Sequence, residues 1–374
     1  MVAVTGTLEA AGADAGTTGG TIKVLGDKVG LFGTATLNAS GDAGGGMVLV
    51  GGNWQGHGPE QNATRTIIGP DATISASATN NGDGGTVVVW SNDVTKFFGS
   101  IDARGGPNGG DGGQVETSGK RVLQALGSVE VSAPNGNGGL WLLDPNNITI
   151  MANAGVNLNI TVSGTTDFTS NTDVAVLDTG NLSAALTGDA TVRVITGDGA
   201  PSTQNGDITV QNTTTAAGNA TLELHAQGDI NFGLGATITN GGNVLSVSLL
   251  AGESAPATGA GTTPGAITMD ATSSISTGGG NVIAIGQGAI QLGAINTGGA
   301  GTLSVTSNGG AIAQAANLII GGNATFNAGA NTITLGGTNN FGSLTFTGTT
   351  VSISEASATV LSGTSTADSL VLTS

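Results

Sequence analysis

Paired carboxylates are the residues of this sequence that could carry out hydrolytic chemistry. Asp102 and Glu130 end two similar short segments, Ser-Ile-Asp and Ser-Val-Glu, and Arg104 follows two residues after Asp102. Glycoside hydrolysis needs two carboxyl groups about 5–10 Å apart, one of them typically in an apolar setting. If the two segments stack on neighbouring coils of a repeat protein, the carboxylates come within reach of each other. A β-helical polysaccharide lyase or hydrolase is therefore an alternative that the sequence leaves open.

Chance stacking in an acidic repeat protein explains the same pair, and a lyase would also want a cationic cluster for its acidic sugar. After Arg193 the chain contains no Lys or Arg at all. We therefore predict that the protein is not an enzyme and has no catalytic residue.

Acidic residues recur in glycine-rich corners and raise the question of a calcium site. The positions are Asp14, Asp42, Asp83, Asp111 and, in the next corner, Asn137. Calcium prefers clustered carboxylate and carbonyl oxygens, but Asp and Asn also shape turns through their own side chains. Calcium-binding repeats place an Asp every nine residues, whereas the spacing here is 26 to 41 residues. We predict turn residues and no metal site.

Two histidines, His57 and His225, are the only ones in the chain. Neither has a Ser or Asp in a nucleophilic arrangement or a second ligand at metal-binding spacing. His225 follows Leu224 on a strand and is expected to face solvent beside Glu223. The glycine-rich corners lack the Gly-Lys-Ser/Thr of a phosphate loop, so we also predict that no cofactor is bound.

Composition restricts the classes of protein to which the chain can belong. Its 374 residues include 68 Gly, no Cys, 3% aromatic and only 9% charged residues, with a net charge of −17. Gly, Asn, Ser and Thr are poor residues for helix interiors, which excludes a helical bundle. The absence of cysteine excludes disulfides and thiolate chemistry. The acidic balance leaves no basic surface for nucleic acid, so no nucleic-acid partner is expected.

A repeat of 20–23 residues dominates the C-terminal half. Isoleucine returns at 208, 230, 267, 290, 312, 333 and 353, in steps of 22, 37, 23, 22, 21 and 20 residues. The long step contains Gly252 to Gly265, which we interpret as an inserted loop. A second apolar strand segment lies between most of these positions. Such a period is typical of a solenoid.

The N-terminal half repeats with larger coils. Gly-Gly precedes an apolar run near residues 20, 46, 85, 113 and 139, and a partner strand is expected after Gly33, Gly69, Gly99 and Gly127. These patterns predict an all-β fold, a right-handed parallel β-helix of about a dozen coils. We predict larger coils over 1–150, irregular connecting coils with a possible short helix at Leu182–Leu186 over 151–205, and short coils over 206–374.

Three segments carry a resemblance to a known family. They include Val-Gly-Gly-Asn-Trp-Gln-Gly-His at residues 50–57, Gly-Asp-Gly-Gly-Thr-Val-Val-Val-Trp-Ser at 82–91 and Gly-Gly-Leu-Trp-Leu-Leu-Asp-Pro-Asn-Asn-Ile-Thr-Ile at 138–150. Together they closely resemble the filamentous-haemagglutinin-like adhesins of Gram-negative two-partner secretion systems. The resemblance covers residues 1–150, whereas residues 206–374 resemble these adhesins only in general style of sequence.

This resemblance implies a secreted or surface-tethered β-helical adhesin that serves attachment or biofilm formation. It implies export through an outer-membrane two-partner secretion pore, directed by an N-terminal secretion domain upstream of this internal fragment. The receptor, whether on a host cell, in the matrix or a glycan, is not specified. End-to-end self-association is also expected, because cut coil ends expose strand edges. The inert stalk of a contact-dependent toxin is a further alternative.

Overall fold

The fold was analysed in a computed structural model that describes residues 1–152, 175–197, 204–252 and 265–374. These residues form two compact units, Met1–Thr191 and Val192–Ser374. Each unit is built from short strands that pair in parallel with the strands of the preceding and following coil. The predicted all-β parallel β-helix is thus confirmed. Within the described ranges, no helix is long and apolar enough to cross a membrane.

The first unit forms three faces from consecutive strands. Its strands are β1 (Val2–Val4), β2 (Thr7–Glu9), β3 (Thr21–Val24), β4 (Lys28–Leu31), β5 (Thr36–Asn38), β6 (Met47–Val50), β7 (Arg65–Ile68), β8 (Thr73–Ser75), β9 (Thr86–Ser91), β10 (Val94–Phe97), β11 (Ser100–Asp102), β12 (Gln114–Gly119), β13 (Val122–Ala125), β14 (Ser128–Glu130), β15 (Leu140–Leu143), β16 (Ile148–Met151) and β17 (Val176–Asp178). A 3-10 turn spans Trp54–Gly56, and β17 leads into helix α1 (Thr179–Ala185). Strand β18 (Ala190–Ile195) contains residues of both units.

The three faces of this unit follow the predicted repeat. Face I stacks β3, β6, β9, β12 and β15, and face II stacks β1, β4, β7, β10 and β13. Face III stacks β2, β5, β8, β11 and β14, and the last four of these are the strands expected after Gly33, Gly69, Gly99 and Gly127. The short helix considered at Leu182–Leu186 is present as α1, which begins at Thr179 with Asp178 as its N-cap.

The second unit repeats the same plan with shorter coils. Its strands are β19 (Ile208–Val210), β20 (Thr214–Thr215), β21 (Ala220–Ala226), β22 (Ile230–Phe232), β23 (Thr237–Thr239), β24 (Leu245–Ala251), β25 (Ile267–Thr268), β26 (Ser274–Ser276), β27 (Val282–Gly286), β28 (Ile290–Leu292), β29 (Ala294–Asn296), β30 (Leu303–Ser307), β31 (Ile312–Gln314), β32 (Leu318–Asn327), β33 (Ile333–Glu355) and β34 (Thr366–Thr373). Residues 253–264 of the predicted inserted loop lie outside the described residues, as do 153–174 and 198–203 of the predicted irregular connection.

The core is built from residues of the same type that stack in register on successive coils. In the second unit the repeating isoleucines pair in register from one coil to the next, 208 with 230, 267, 290, 312 and then 333. All six are at most 1% exposed. Because alternate residues of a strand point to opposite sides, the residue that follows each isoleucine lies on the outer side of its coil. These outward residues are Thr209, Asn231, Thr268 and Gln291 on four successive coils, and Ala313 on the next.

Candidate functional site

A polar groove of about 390 Å³ opens on the outside of face III in the first unit. It lies at the C-terminal ends of the face III strands. The last residues of four of these strands share one register position, namely Asn38, Ser75, Asp102 and Glu130. Ser75 and Asp102 line the groove. The groups that line it are four hydroxyls, one ion pair and two proline rings, from Ser40, Ser75, Ser77, Thr79, Asp102, Arg104, Pro107 and Pro134. Its volume falls in the range of sites for small ligands, which is about 300–1,000 Å³.

An aspartate–arginine pair forms the charged part of the groove. Arg104 Nε donates to Asp102 Oδ1 at 2.9 Å and Nη2 donates to Oδ2 at 2.5 Å. The Ser77 hydroxyl also donates to Asp102 Oδ1, and the Arg104 backbone N–H donates to Ser77 Oγ at 3.0 Å. Hydrogen bonding to Asp102 is the largest cause that raises the pKa of Arg104 above its ordinary value. About half of the Arg104 side chain and a third of the Asp102 side chain stay exposed.

The predicted stacking of Asp102 and Glu130 is confirmed by their register. Both carboxylates accept hydrogen bonds. Glu130 Oε1 accepts from the Ser132 backbone N–H at 3.2 Å, and Asp102 Oδ1 accepts from Arg104 and from the Ser77 hydroxyl. The groove thus presents hydroxyl, carboxylate and guanidinium groups side by side on consecutive coils.

Three of the acidic corner residues accept backbone hydrogen bonds from a neighbouring coil. Asp42 Oδ2 accepts from the Gly16 backbone N–H at 2.7 Å, and Asp83 Oδ1 accepts from the Asp111 N–H at 2.8 Å. Asp111 Oδ1 in turn accepts from the backbone N–H of Asn137 at 2.7 Å. Across the described parts of the chain, no three His, Cys, Asp or Glu side chains form a group that could hold a metal ion.

The second unit uses the same inter-coil contact. Asp207 Oδ1 accepts from the Asp229 N–H at 2.8 Å, and Asp229 Oδ1 accepts from the Ala266 N–H at 2.7 Å. Both units thus use aspartate carboxylates that accept a backbone hydrogen bond from the next coil.

We expect Asp111→Ala to lower the thermal unfolding midpoint by about 2–4 °C in a unit of this size, because it removes the two exposed hydrogen bonds that Asp111 Oδ1 accepts from the backbone and side-chain nitrogens of Asn137. Asp14→Ala is the matched control, because it is the backbone carbonyl of Asp14 that accepts from Thr17. Removal of Ca²⁺ with a chelator should leave the midpoint of the wild type unchanged. A chelator effect that Asp111→Ala abolishes would support the calcium interpretation instead.

Neither histidine lines the groove, and the two have different surroundings. His57 lies at an exposed loop tip, where its backbone N–H donates to the Trp54 carbonyl. His225 points outward from β21 with Nε2 4.0 Å from Glu223 Oε2, as expected. Its side chain is 18% exposed, so it faces solvent only in part.

A buried carboxyl group on the outside of face I was not predicted from the sequence. Glu116 is fully buried beneath the covering loop, which we define as residues 51–64. Its Oε2 accepts from the Gln55 backbone N–H at 2.7 Å, whereas no described group donates to Oε1. Burial is the main reason that the pKa of Glu116 rises to about 8, and burial also raises the pKa of Asp144 to about 6.

The covering loop is held at several points. Trp54 packs on the apolar cluster of Leu49, Val88 and Trp90, and Lys23 Nζ contacts Glu60 Oε1 at 2.9 Å. Strict alternation on β12 predicts an exposed Glu116, and only Trp54, in the loop that follows β6, could have indicated that the position is covered.

Comparison with known proteins adds one match. A family model described as repeats of unknown function (DUF5649) matches residues 279–347. No curated protein matches the chain. The matched residues contain strands β27 to β32 and the beginning of β33, which carry the short coils of the second unit. The family match and the parallel strands together indicate a repeat β-solenoid protein.

Proposed function

We propose that this chain is a segment of a secreted, surface-exposed β-helical adhesin that serves attachment or biofilm formation. The observation that carries the proposal is the in-register row of outward polar residues Thr209, Asn231, Thr268 and Gln291, repeated coil by coil over a buried isoleucine row. A row of polar side chains on successive coils can make several similar weak contacts. Such contacts add through effective concentration when the partner surface is also repetitive.

The proposal places the protein outside the cell, with export through an outer-membrane two-partner secretion pore. The support for this part is the resemblance of residues 1–150 to filamentous-haemagglutinin-like adhesins. A cysteine-free chain suits passage through a pore in an unfolded state, because no disulfide loop obstructs it. Coils that pair only with their neighbours can fold one after another as they emerge.

Beads coated with the purified chain should attach saturably to cells, to extracellular-matrix proteins or to immobilised glycans, without releasing sugar into the supernatant. Beads coated with the heat-unfolded chain provide the control for non-specific adsorption. Released sugar would favour the polysaccharide-cleaving alternative, for which Asp102 and Glu130 are the candidate carboxylates. Absence of attachment on every surface would contradict the adhesin and favour an inert stalk.

A further inference from the structure

We propose that the groove on face III is a binding site for a neutral saccharide. This inference rests on the proposed function and assigns a ligand class to one site on the adhesin. The groove is concave and opens across consecutive coils, whereas most outward surfaces of such a fold are flat sheet faces.

The groups in the groove suit the hydroxyls of a sugar. Serine and threonine hydroxyls both donate and accept hydrogen bonds, and Ser40 and Ser75 already form a hydroxyl pair at 2.6 Å. Arg104 directs Nε and Nη2 at Asp102, and Nη1 has no partner among the described residues. The exposed carboxylate–guanidinium pair therefore offers an acceptor and a donor side by side to adjacent hydroxyls of one ring.

Charge selects a neutral rather than an acidic ligand. The guanidinium of Arg104 is paired with Asp102, and Glu130 is the register neighbour of Asp102 on the next coil. These three groups sum to one negative charge, which disfavours carboxylated or sulfated sugars. Two exposed proline rings, Pro107 and Pro134, add apolar surface against which the C–H face of a pyranose can pack.

The test measures retention of the intact chain on immobilised neutral polysaccharides, with dextran and galactan as probes and polygalacturonate as the acidic comparison. We expect retention on a neutral probe and about tenfold weaker binding for Arg104→Lys, which keeps the charge but loses the bidentate geometry. The matched control is Arg121→Lys, because Arg121 pairs with Asp93 outside the groove.

A second pair of variants keeps the test informative if Arg104→Lys perturbs folding. Thr79→Trp fills the groove from an exposed position without replacing a member of the ion pair, and it should abolish retention. Thr73→Trp adds the same side chain to an exposed position of β8 outside the groove lining and should bind as the wild type does.

Equal retention of both tryptophan variants, a preference for polygalacturonate, or no retention on either neutral probe would overturn the assignment. Saturable bead attachment to cells with no binding of these polysaccharides would remove the saccharide site and leave the adhesin proposal standing. Failure of attachment itself would contradict the proposed function, so the two failures are distinguishable.

Discussion

Replacing Glu116 with glutamine is expected to stabilise the protein at pH 9 and to change its stability little at pH 5. The side chain is fully buried under the covering loop, and only one of its two oxygens is hydrogen-bonded. Glutamine keeps an acceptor for the Gln55 N–H but carries no charge to bury. Its amide would also supply a neutral group at the position of the unpartnered Oε1.

The direction of this pH effect on stability follows from the pKa of Glu116, which the fold raises from its ordinary 4.5 to about 8. The folded state then holds a proton that the unfolded chain releases, so stability is greatest below pH 4.5 and falls as the pH rises towards 8. A shift of this size corresponds to about 5 kcal/mol at most. Asp144, whose pKa rises to about 6 despite the opposing charge of Lys120, acts in the same direction over a lower range.

Thermal unfolding at pH 5 and pH 9 measures this effect. The wild type should lose roughly 10 °C between the two conditions, and Glu116→Gln should recover most of that loss at pH 9. Opening of the covering loop limits the penalty and should expose Trp54 and Trp90 to water, which red-shifts tryptophan fluorescence in the wild type at pH 9. Glu9→Gln, at an exposed position of β2, is the control. A wild-type midpoint that is flat from pH 5 to 9 would contradict the account.

The Gly84→Ala variant is expected to lose about 3 kcal/mol or more of unfolding free energy. A Cβ at this position would lie 2.0 Å from the Ala103 carbonyl oxygen and 2.5 Å from the Gly113 nitrogen. These two atoms belong to a backbone hydrogen bond of 2.7 Å, Gly113 N–H to Ala103 carbonyl. Because the obstacle is backbone of the neighbouring coil, rotation of a side chain cannot relieve it, and the coils must separate locally.

Urea unfolding of Gly84→Ala beside Gly6→Ala measures this cost. Gly6 also has an ordinary φ, and a Cβ there would meet nothing within 4 Å. Its replacement should change stability by no more than about 0.5 kcal/mol. If the two variants lost the same stability, close packing of coils at the glycine corners would not be the reason for these glycines.

The register of the second unit could be predicted from the sequence because one residue type marks each coil. Isoleucine returns at nearly constant steps, and the paired positions 208, 230, 267, 290, 312 and 333 are those of the structure. In the first unit the Gly-Gly signal located face I for a similar reason. Gly45 and Gly112, like Gly84, precede its strands at points where a Cβ would meet the neighbouring coil's backbone within 2.0 Å.

Features that depend on a distant part of the chain could not be predicted in this way. Alternation places Glu116 on the outer side of β12 correctly, but its burial comes from a loop about 60 residues earlier in the chain. In the groove, the sequence predicted that Asp102 and Glu130 stack, whereas the contribution of the Ser77 hydroxyl follows from a corner one coil away.

Competition for attachment tests most directly the proposal that this chain is the attaching surface of an adhesin. Cells that display this chain on their surface are allowed to adhere to a surface that captures beads coated with it, in the presence of increasing soluble wild-type chain. We expect a saturable decrease in adhesion that the heat-unfolded chain does not cause. Undiminished adhesion at concentrations of soluble chain that displace the beads completely would contradict it.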